Sequence, residues 1–131
     1  AKAGQKCTAI RRAIVPAKHL DAVAAKLAER LAKTTVGDPA VEGVRMGALA
    51  SRAQARDVAA AVERLAAGNE IVRSAEDGFA PVGEGVGNGA FFAPTLLLCR
   101  RPGANDAVHD VEAFGPVSTL MPYGDWAGAL D

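Results

Sequence analysis

Cys7 is the side chain in this sequence best suited to act as a nucleophile. It ends the stretch Gly-Gln-Lys-Cys at residues 4–7, and the apolar pair at residues 9–10 predicts that this polar loop leads into a short helix. A thiol attacks a carbonyl carbon as its thiolate, which a helix N-terminus and nearby cations stabilise. Lys6, Arg11 and Arg12 supply such cations, and the first N–H groups of the helix could hold the resulting oxyanion.

The alternative for Cys7 is a structural role. Unpaired cysteines often behave as small buried hydrophobic residues, and residues 4–8 by themselves leave the catalytic and the structural interpretations open. The second cysteine, Cys99, ends an apolar stretch and is predicted to be structural. Because the two cysteines lie far apart, we expect no disulfide framework.

A second candidate site is the stretch Glu-Ala-Phe-Gly-Pro at residues 112–116, immediately before a predicted strand. The carboxylate of Glu112 could accept hydrogen bonds from sugar hydroxyls while the ring of Phe114 packs against a planar ligand. Taken alone, such a stretch is more often an ordinary turn.

The sequence predicts no metal site. His19 and His109 each stand alone, without a cysteine or carboxylate at the spacing of metal ligands, and both are predicted to be surface or hydrogen-bonded polar residues. The glycine-rich residues 83–87 lie among loop residues and not at a strand-to-helix turn, so they do not predict a nucleotide-binding loop.

Two amphipathic helices are predicted to position these candidates. In the first, residues 17–33, apolar side chains recur every three or four positions, at Leu20, Val23, Ala24, Leu27 and Leu31. The second begins after Ser51, with Gln54 spaced to complete a capping box and Gly68 placed to end the helix. Its predicted buried stripe consists of Val58, Ala61, Val62 and Leu65.

Strands are predicted to alternate with the helices, which indicates an α/β fold. The predicted strands are residues 12–15, 70–74, 91–99 and 117–123. In the third of them, Pro94 must lie at the start, at an edge or at a bulge. The remaining assignments are a loop at 34–47, a flexible connection at 77–89, a turn at 101–106 and the beginning of a further element at 126–130.

Composition narrows the class of protein. The 15 Lys and Arg residues balance the 15 Asp and Glu residues, without the clustered basic excess of nucleic-acid-binding proteins. No stretch approaches the roughly 18 consecutive apolar residues of a membrane helix, and no secretory signal opens the chain. We therefore expect a cytoplasmic protein with neither nucleic-acid nor membrane partners.

The order and spacing of the motifs resemble the aldehyde dehydrogenase superfamily. Residues 4–7 are similar to its Gly-Gln-x-Cys signature, with Arg12 five residues after the cysteine, and residues 112–116 match its Glu-x-Phe-Gly-Pro. Between them lie further similarities to the family's loop after the next helix (Val-Gly-Asp-Pro, residues 36–39), to its Gly-Pro-Leu (residues 47–49) and to its aromatic-x-Pro-Thr strand (residues 91–96). The resemblance covers essentially the whole chain.

This resemblance implies a fold and a chemistry. The fold would be part of a catalytic domain, a largely parallel sheet flanked by helices. Cys7 would attack an aldehyde to give a thiohemiacetal, its N–H forming half of the oxyanion hole. Hydride transfer to NAD or NADP would leave a thioester for water to hydrolyse, with Glu112 binding the nicotinamide ribose and Phe114 packing near the nicotinamide.

Other parts of the family's machinery have no counterpart in this sequence. The general-base glutamate, the oxyanion-hole asparagine and the cofactor-binding domain lie upstream of the cysteine in the family, and residues 1–131 contain none of them. The chain also opens with Ala1 and not with methionine. We therefore expect a segment of a longer protein that is inactive alone.

Departures from the signature indicate a branch of the family. Lys2 stands where the family often has asparagine, and Ala48 replaces the proline. Residues 2–12 look most like bacterial enzymes that oxidise ring-opened, CoA-linked semialdehydes in phenylacetate or benzoate degradation. That resemblance implies a homo-oligomer and, as in the phenylacetate enzymes, a fusion to an enoyl-CoA hydratase. The added positive charge suits an anionic CoA substrate, or the side chains simply face solvent.

Two rival functions remain open from the sequence. Cys7 could serve a thiol hydrolase or acyltransferase, which needs a histidine base, and His19 and His109 are the only histidines present. The chain could instead be a non-catalytic assembly module on an enzyme scaffold. Neither rival explains the Glu-x-Phe-Gly-Pro match.

Overall fold

A four-stranded sheet with helices packed on both faces forms the centre of the molecule. The computed structural model describes residues 2–124, so the element predicted at 126–130 lies outside the described residues. The strands and helices, in chain order, are β1 (Arg12–Pro16), α1 (Leu20–Ala32), α2 (Arg52–Ala66), β2 (Glu70–Arg73), β3 (Thr95–Leu98), α3 (Ala107–Asp110) and β4 (Val117–Tyr123). Single 3-10 turns occur at Ala17–His19, Ala75–Asp77, Val86–Asn88 and Pro102–Ala104.

The strand order is β1-β4-β3-β2, so the last strand in sequence lies inside the sheet. β4 pairs in parallel with β1, where Arg12 is opposite Thr119, and in parallel with β3, where Leu96 is opposite Ser118. Only the β2–β3 pairing is antiparallel among the strands described. The predicted α/β class and the largely parallel sheet are therefore confirmed.

The core is divided between the two faces of the sheet because successive side chains of a strand point to opposite faces. Leu96 and Leu98 of β3 pack on the face covered by α1, whereas Leu97 and Cys99 pack on the face covered by α2. Leu97 is 0% exposed. A strand buried on both faces reads as a continuous apolar run, which explains the sequence of β3.

The predicted stripe of α1 is confirmed. Leu20 and Ala24 are buried, and Val23, Leu27 and Leu31 pack against the same cluster. The helix begins three residues later than predicted because residues Ala17–His19, directly after Pro16, form a 3-10 turn.

The second helix keeps its predicted bounds but lacks the full capping box. Ser51 Oγ accepts a hydrogen bond from Gln54 N at 3.1 Å, and Gly68 follows the helix with a left-handed φ of 90°, as predicted. The side chain of Gln54 does not return to Ser51, because its Oε1 accepts a hydrogen bond from Gln5 Nε2 at 2.7 Å. The capping-box prediction was thus half right.

Three other predictions differ from the structure. The strand predicted at 91–99 is regular only from Thr95, immediately after Pro94, which lacks the N–H that a ladder needs. The connection at 77–89 is anchored at Val82, whose N–H donates to Val36 O at 2.9 Å. The short helix α3 was not predicted, since a single turn carries too little periodicity.

Candidate active site

The loop that carries Cys7 is a series of tight turns. Gln5 N donates to Lys2 O at 2.9 Å, and Ala9 N donates to Lys6 O at 3.0 Å, so the second turn encloses Cys7. Within residues 2–124, the N–H of Cys7 donates no hydrogen bond. The Cys7 side chain is exposed.

The prediction of a short helix after Cys7 was wrong. Ser118 Oγ donates to Ile10 O at 2.6 Å, and Thr119 N donates to Arg11 O at 2.9 Å. These bonds to β4 draw the chain into the extended conformation of β1, which is incompatible with helical hydrogen bonds. No helix therefore begins at residues 8–11 to place its dipole on this thiol. The features that remain are the exposed turn and the free N–H of Cys7.

Cys99 has the opposite environment. It is 1% exposed, and burial raises the pKa of its thiol above the ordinary value. A buried thiol of raised pKa is a poor nucleophile. The structural interpretation of Cys99 is confirmed.

Backbone contact brings the two candidate segments together. An ideal Cβ at Gly4 would stand 2.0 Å from Gly115 O, and one at Gly115 would stand 2.7 Å from Val58 Cγ2. Glycine is required at both positions because any side chain would separate these surfaces. The Cys7 loop therefore stacks on the turn at residues 112–116, and that turn stacks on α2.

Backbone strain is concentrated at this contact. Ala3, with φ 48°, and Phe114, with φ 49°, are the only non-glycine residues of positive φ in the described part of the chain. Each immediately precedes one of the two glycines in contact. Such conformations cost on the order of 1–3 kcal/mol and occur preferentially at functional sites.

Glu112 and Phe114 line a small cavity together with Lys6, Arg11 and the backbone at Gly4. The ring of Phe114 is 44% exposed and also borders an open cavity of about 390 Å³ beside Lys2 and Gln5. Glu112 is exposed, and its carboxylate has no partner among residues 2–124. An unpaired carboxylate can accept two hydroxyl groups and a ring can stack, so these side chains suit the sugar and planar base of a nucleotide.

Two of the other matched motifs contact the same place. Thr95, which ends the aromatic-x-Pro-Thr motif, donates from its N–H to Pro116 O at 2.8 Å. Ala50 N, directly after the Gly-Ala-Leu stretch, donates to Gln5 Oε1 at 2.8 Å. The sequence analysis did not predict that Ala50 and Gln54 contact Gln5. The capping-box spacing had already assigned Gln54 a role at the start of its own helix.

His109 joins the start of β1 to α3. Arg12 Nη1 lies 3.2 Å from His109 Nδ1, and His109 Nε2 lies 3.0 Å from Pro102 O. Since a guanidinium only donates, Nδ1 accepts and Nε2 carries the proton. The prediction of a hydrogen-bonded polar residue is confirmed, and no ring nitrogen is free to act as a base.

His19 lies beyond the other end of β1 from Cys7. The strand spans five residues, about 16 Å at the usual rise. Among the residues described, the hydrolase alternative therefore lacks a histidine base near Cys7. The same part of the chain contains no group of His, Cys, Asp and Glu that could hold a metal, and none of its helices is long and apolar enough to cross a membrane.

Comparison with known proteins gives matches over nearly the whole length of this chain. The family model described as "Aldehyde dehydrogenase family" matches residues 1–131. The 3,4-dehydroadipyl-CoA semialdehyde dehydrogenase of Aromatoleum evansii is 43% identical over 129 residues, which cover 98% of this chain and 25% of that protein. Protein MaoC of Klebsiella aerogenes is 48% identical over 86 residues, or 65% of this chain and 24% of that protein.

Solved structures agree with the fold. Betaine aldehyde dehydrogenase from Staphylococcus aureus, in complex with NAD+, aligns with a TM-score of 0.84 at 26% identity, over 98% of this chain and 25% of that one. Succinic semialdehyde dehydrogenase from Streptococcus pyogenes, in complex with NADP+, aligns with a TM-score of 0.77 at 26% identity, over 94% and 25%. The chain spans about a quarter of the length of these relatives. It belongs to the aldehyde dehydrogenase family.

Proposed function

We propose that residues 1–131 form part of the catalytic domain of an NAD- or NADP-dependent aldehyde dehydrogenase, with Cys7 as its nucleophile. The observation that supports this most directly is the contact of Gly4 with Gly115, which stacks the loop of an exposed cysteine on the turn of Glu112 and Phe114. Cys99, the other thiol, is buried in the core.

The turn around Cys7 suits nucleophilic addition to a carbonyl. The thiolate forms a bond to the aldehyde carbon while the carbonyl π electrons move to the oxygen, giving the thiohemiacetal oxyanion. The N–H of Cys7 has no partner among residues 2–124, so it can donate to that oxygen. Such a donor stabilises the charge that develops in the transition state.

Glu112 and Phe114 are proposed to hold the nicotinamide end of the cofactor. The free carboxylate of Glu112 would accept hydrogen bonds from the ribose hydroxyls, and the exposed ring of Phe114 would pack against the nicotinamide. When bound, the dinucleotide supplies the acceptor for the hydride that leaves the substrate carbon. The thioester that remains on Cys7 is then hydrolysed by water, which releases the acid.

The proposed substrate is a CoA-linked semialdehyde from the degradation of aromatic rings. The Aromatoleum evansii relative is named as a dehydrogenase of a CoA-linked semialdehyde, 3,4-dehydroadipyl-CoA semialdehyde. In this chain, Lys6 and Arg11 line the cavity beside Glu112, where they would attract an anionic substrate. By the same resemblance we propose a cytoplasmic homo-oligomer, fused to an enoyl-CoA hydratase.

Residues 1–131 alone are proposed to be inactive. The resemblance assigns the general base, the asparagine of the oxyanion hole and the cofactor-binding domain to other parts of the enzyme. A segment with the thiol but without these groups can be alkylated and cannot complete a turnover.

The proposal is tested by replacing each cysteine in the intact enzyme that carries this segment. Cys7→Ala is expected to lower NAD(P)H formation from a CoA-linked semialdehyde by roughly 10⁴-fold or more, as loss of a covalent nucleophile does. The matched control, Cys99→Ala, removes a thiol outside the site and should retain most of the activity. Equal losses in the two variants would overturn the assignment of Cys7.

A further inference from the structure

We infer that Gln54 is a positioning residue for the loop that carries Cys7. Gln5 Nε2 donates to Gln54 Oε1 at 2.7 Å, and Gln5 Oε1 accepts from Ala50 N at 2.8 Å. This inference rests on the proposed role of Cys7 as the nucleophile. It concerns how the start of α2 holds, through Gln5, the loop that carries this nucleophile.

The two hydrogen bonds fix the orientation of the Gln5 amide. One uses its nitrogen and the other its oxygen, so a flip of the amide would break both. Only Lys6 separates Gln5 from Cys7. A displacement of the Gln5 backbone is therefore passed through one residue to Cys7.

The partners of Gln5 stand on a rigid support. Ala50 and Gln54 flank the start of α2, and this helix packs on the core through its buried side chains Val58, Ala61 and Leu65. One turn after Gln54, Val58 is buried and lies against Gly115. The first half of α2 thus contacts both the Cys7 loop, through Gln54, and the turn at residues 112–116, through Val58.

The helix does not need the side chain of Gln54 for its own stability. The cap uses the backbone N–H of Gln54, which any residue except proline supplies. The side chain is exposed and turns away from Ser51 toward Gln5. Its replacement should therefore leave α2 intact while releasing one side of the Gln5 amide.

Loss of this contact should affect the chemical step more than binding. Cys7 is exposed, and within residues 2–124 no side-chain hydrogen bond holds it, so the conformation of its loop determines where the sulfur lies. A displacement of about 1 Å in a reacting group can cost about 10²-fold in rate. Since Ala50 still holds Gln5 in a Gln54 variant, we expect a smaller loss, about tenfold in kcat.

The test uses Gln54→Met in the intact enzyme, because methionine keeps the length of the side chain but offers no comparable acceptor. We expect kcat to fall about tenfold while KM for the aldehyde and for NAD(P) stays within about twofold. Gln54→Glu retains an oxygen that can accept from Gln5, and it should restore kcat to within about threefold of the wild-type value. If Gln54 only stabilised the fold, its replacement would not lower kcat at unchanged KM, and Gln54→Glu would not restore kcat.

Ser51→Ala is the matched control. It removes the cap of the same helix without touching Gln5, so it should lower the Tm and leave kcat near the wild-type value. The inference is wrong if Gln54→Met has wild-type kcat, or if Ser51→Ala and Gln54→Met lower kcat equally. If Cys7→Ala retains activity, the proposed function is wrong. If Cys7→Ala is inactive while Gln54→Met has wild-type kcat, only the positioning role of Gln54 is wrong.

Discussion

Gly4 and Gly115 lie in direct backbone contact, so close that an ideal β-carbon at residue 4 would be 2.0 Å from the carbonyl oxygen of residue 115. Gly4 precedes the exposed Cys7, and Gly115 lies in the turn that carries Glu112 and Phe114. The distance between the loop that carries Cys7 and the turn at residues 112–116 is thus set by two main chains, with no rotatable side chain between them. A site built in this way should tolerate no side chain at either glycine.

Gly4→Ala is therefore expected to damage both stability and activity. The new methyl group would meet Gly115 O, and φ at this position is 72°, which alanine adopts at a cost. We expect about 1–3 kcal/mol less free energy of unfolding and a large loss of kcat, measured by urea unfolding and NAD(P)H formation. The control is Gly87→Ala, where an added Cβ meets nothing within 4 Å. If Gly4→Ala and Gly87→Ala had equally small effects on stability and kcat, the close contact of Gly4 with Gly115 would be contradicted.

The two cysteines should differ in reactivity toward iodoacetamide. Cys7 is exposed, whereas Cys99 is buried and burial raises the pKa of its thiol, so at neutral pH less of it is in the reactive thiolate form. We expect one thiol per chain to be alkylated in the native protein and two after denaturation, counted by mass spectrometry. Cys7→Ala should abolish the native reaction. Alkylation of Cys99 in the folded protein would contradict its burial.

Glu112→Gln should weaken cofactor binding. The amide keeps the size of the side chain but loses the charge that strengthens hydrogen bonds to hydroxyl groups. We expect KM for NAD(P) to rise about tenfold, since a hydrogen bond to a charged group contributes about 1.5–3 kcal/mol. Glu84, an exposed residue of the connection between β2 and β3, provides the control Glu84→Gln. An unchanged KM in Glu112→Gln would remove this residue from the cofactor site.

His109→Phe should destabilise the start of β1. Phenylalanine cannot accept from Arg12 or donate to Pro102 O, and both of these interactions are present in the structure. We expect a loss of about 1 kcal/mol in the free energy of unfolding, seen as a lower urea midpoint at constant slope. His19→Phe, beyond the opposite end of β1, should have little effect. A larger loss at His19 would contradict the tie between β1 and α3.

Leu97→Ala tests the division of the core. The side chain is 0% exposed on the face of the sheet covered by α2, and its truncation leaves a cavity. We expect about 2–5 kcal/mol less stability. Ile71→Ala, in the edge strand β2 and 49% exposed, should cost far less. Similar losses at both positions would contradict the burial of β3.

Local patterns in the sequence determined the elements and the chemistry-bearing residues. The stripe of α1, the cap at Ser51, the end of α2 at Gly68 and the apolar run of β3 all depend on neighbours within a few positions, where periodicity and backbone propensity decide the conformation. The motifs that identified Cys7, Glu112 and Phe114 are also local, because each consists of residues that are contiguous in the chain.

Tertiary structure alone decided how those residues meet. The pairing of β1 with β4 extends the chain at Ile10 and removes the helix expected after Cys7. The side chain of Gln54 could bond to Ser51 in its own helix or to Gln5 in a distant loop, and in the fold it bonds to Gln5. The contact of Gly4 with Gly115 joins two segments that are 111 residues apart in the sequence. Local periodicity carries no signal for such pairs, because their energies depend on where the parallel strands place residues that are remote in sequence.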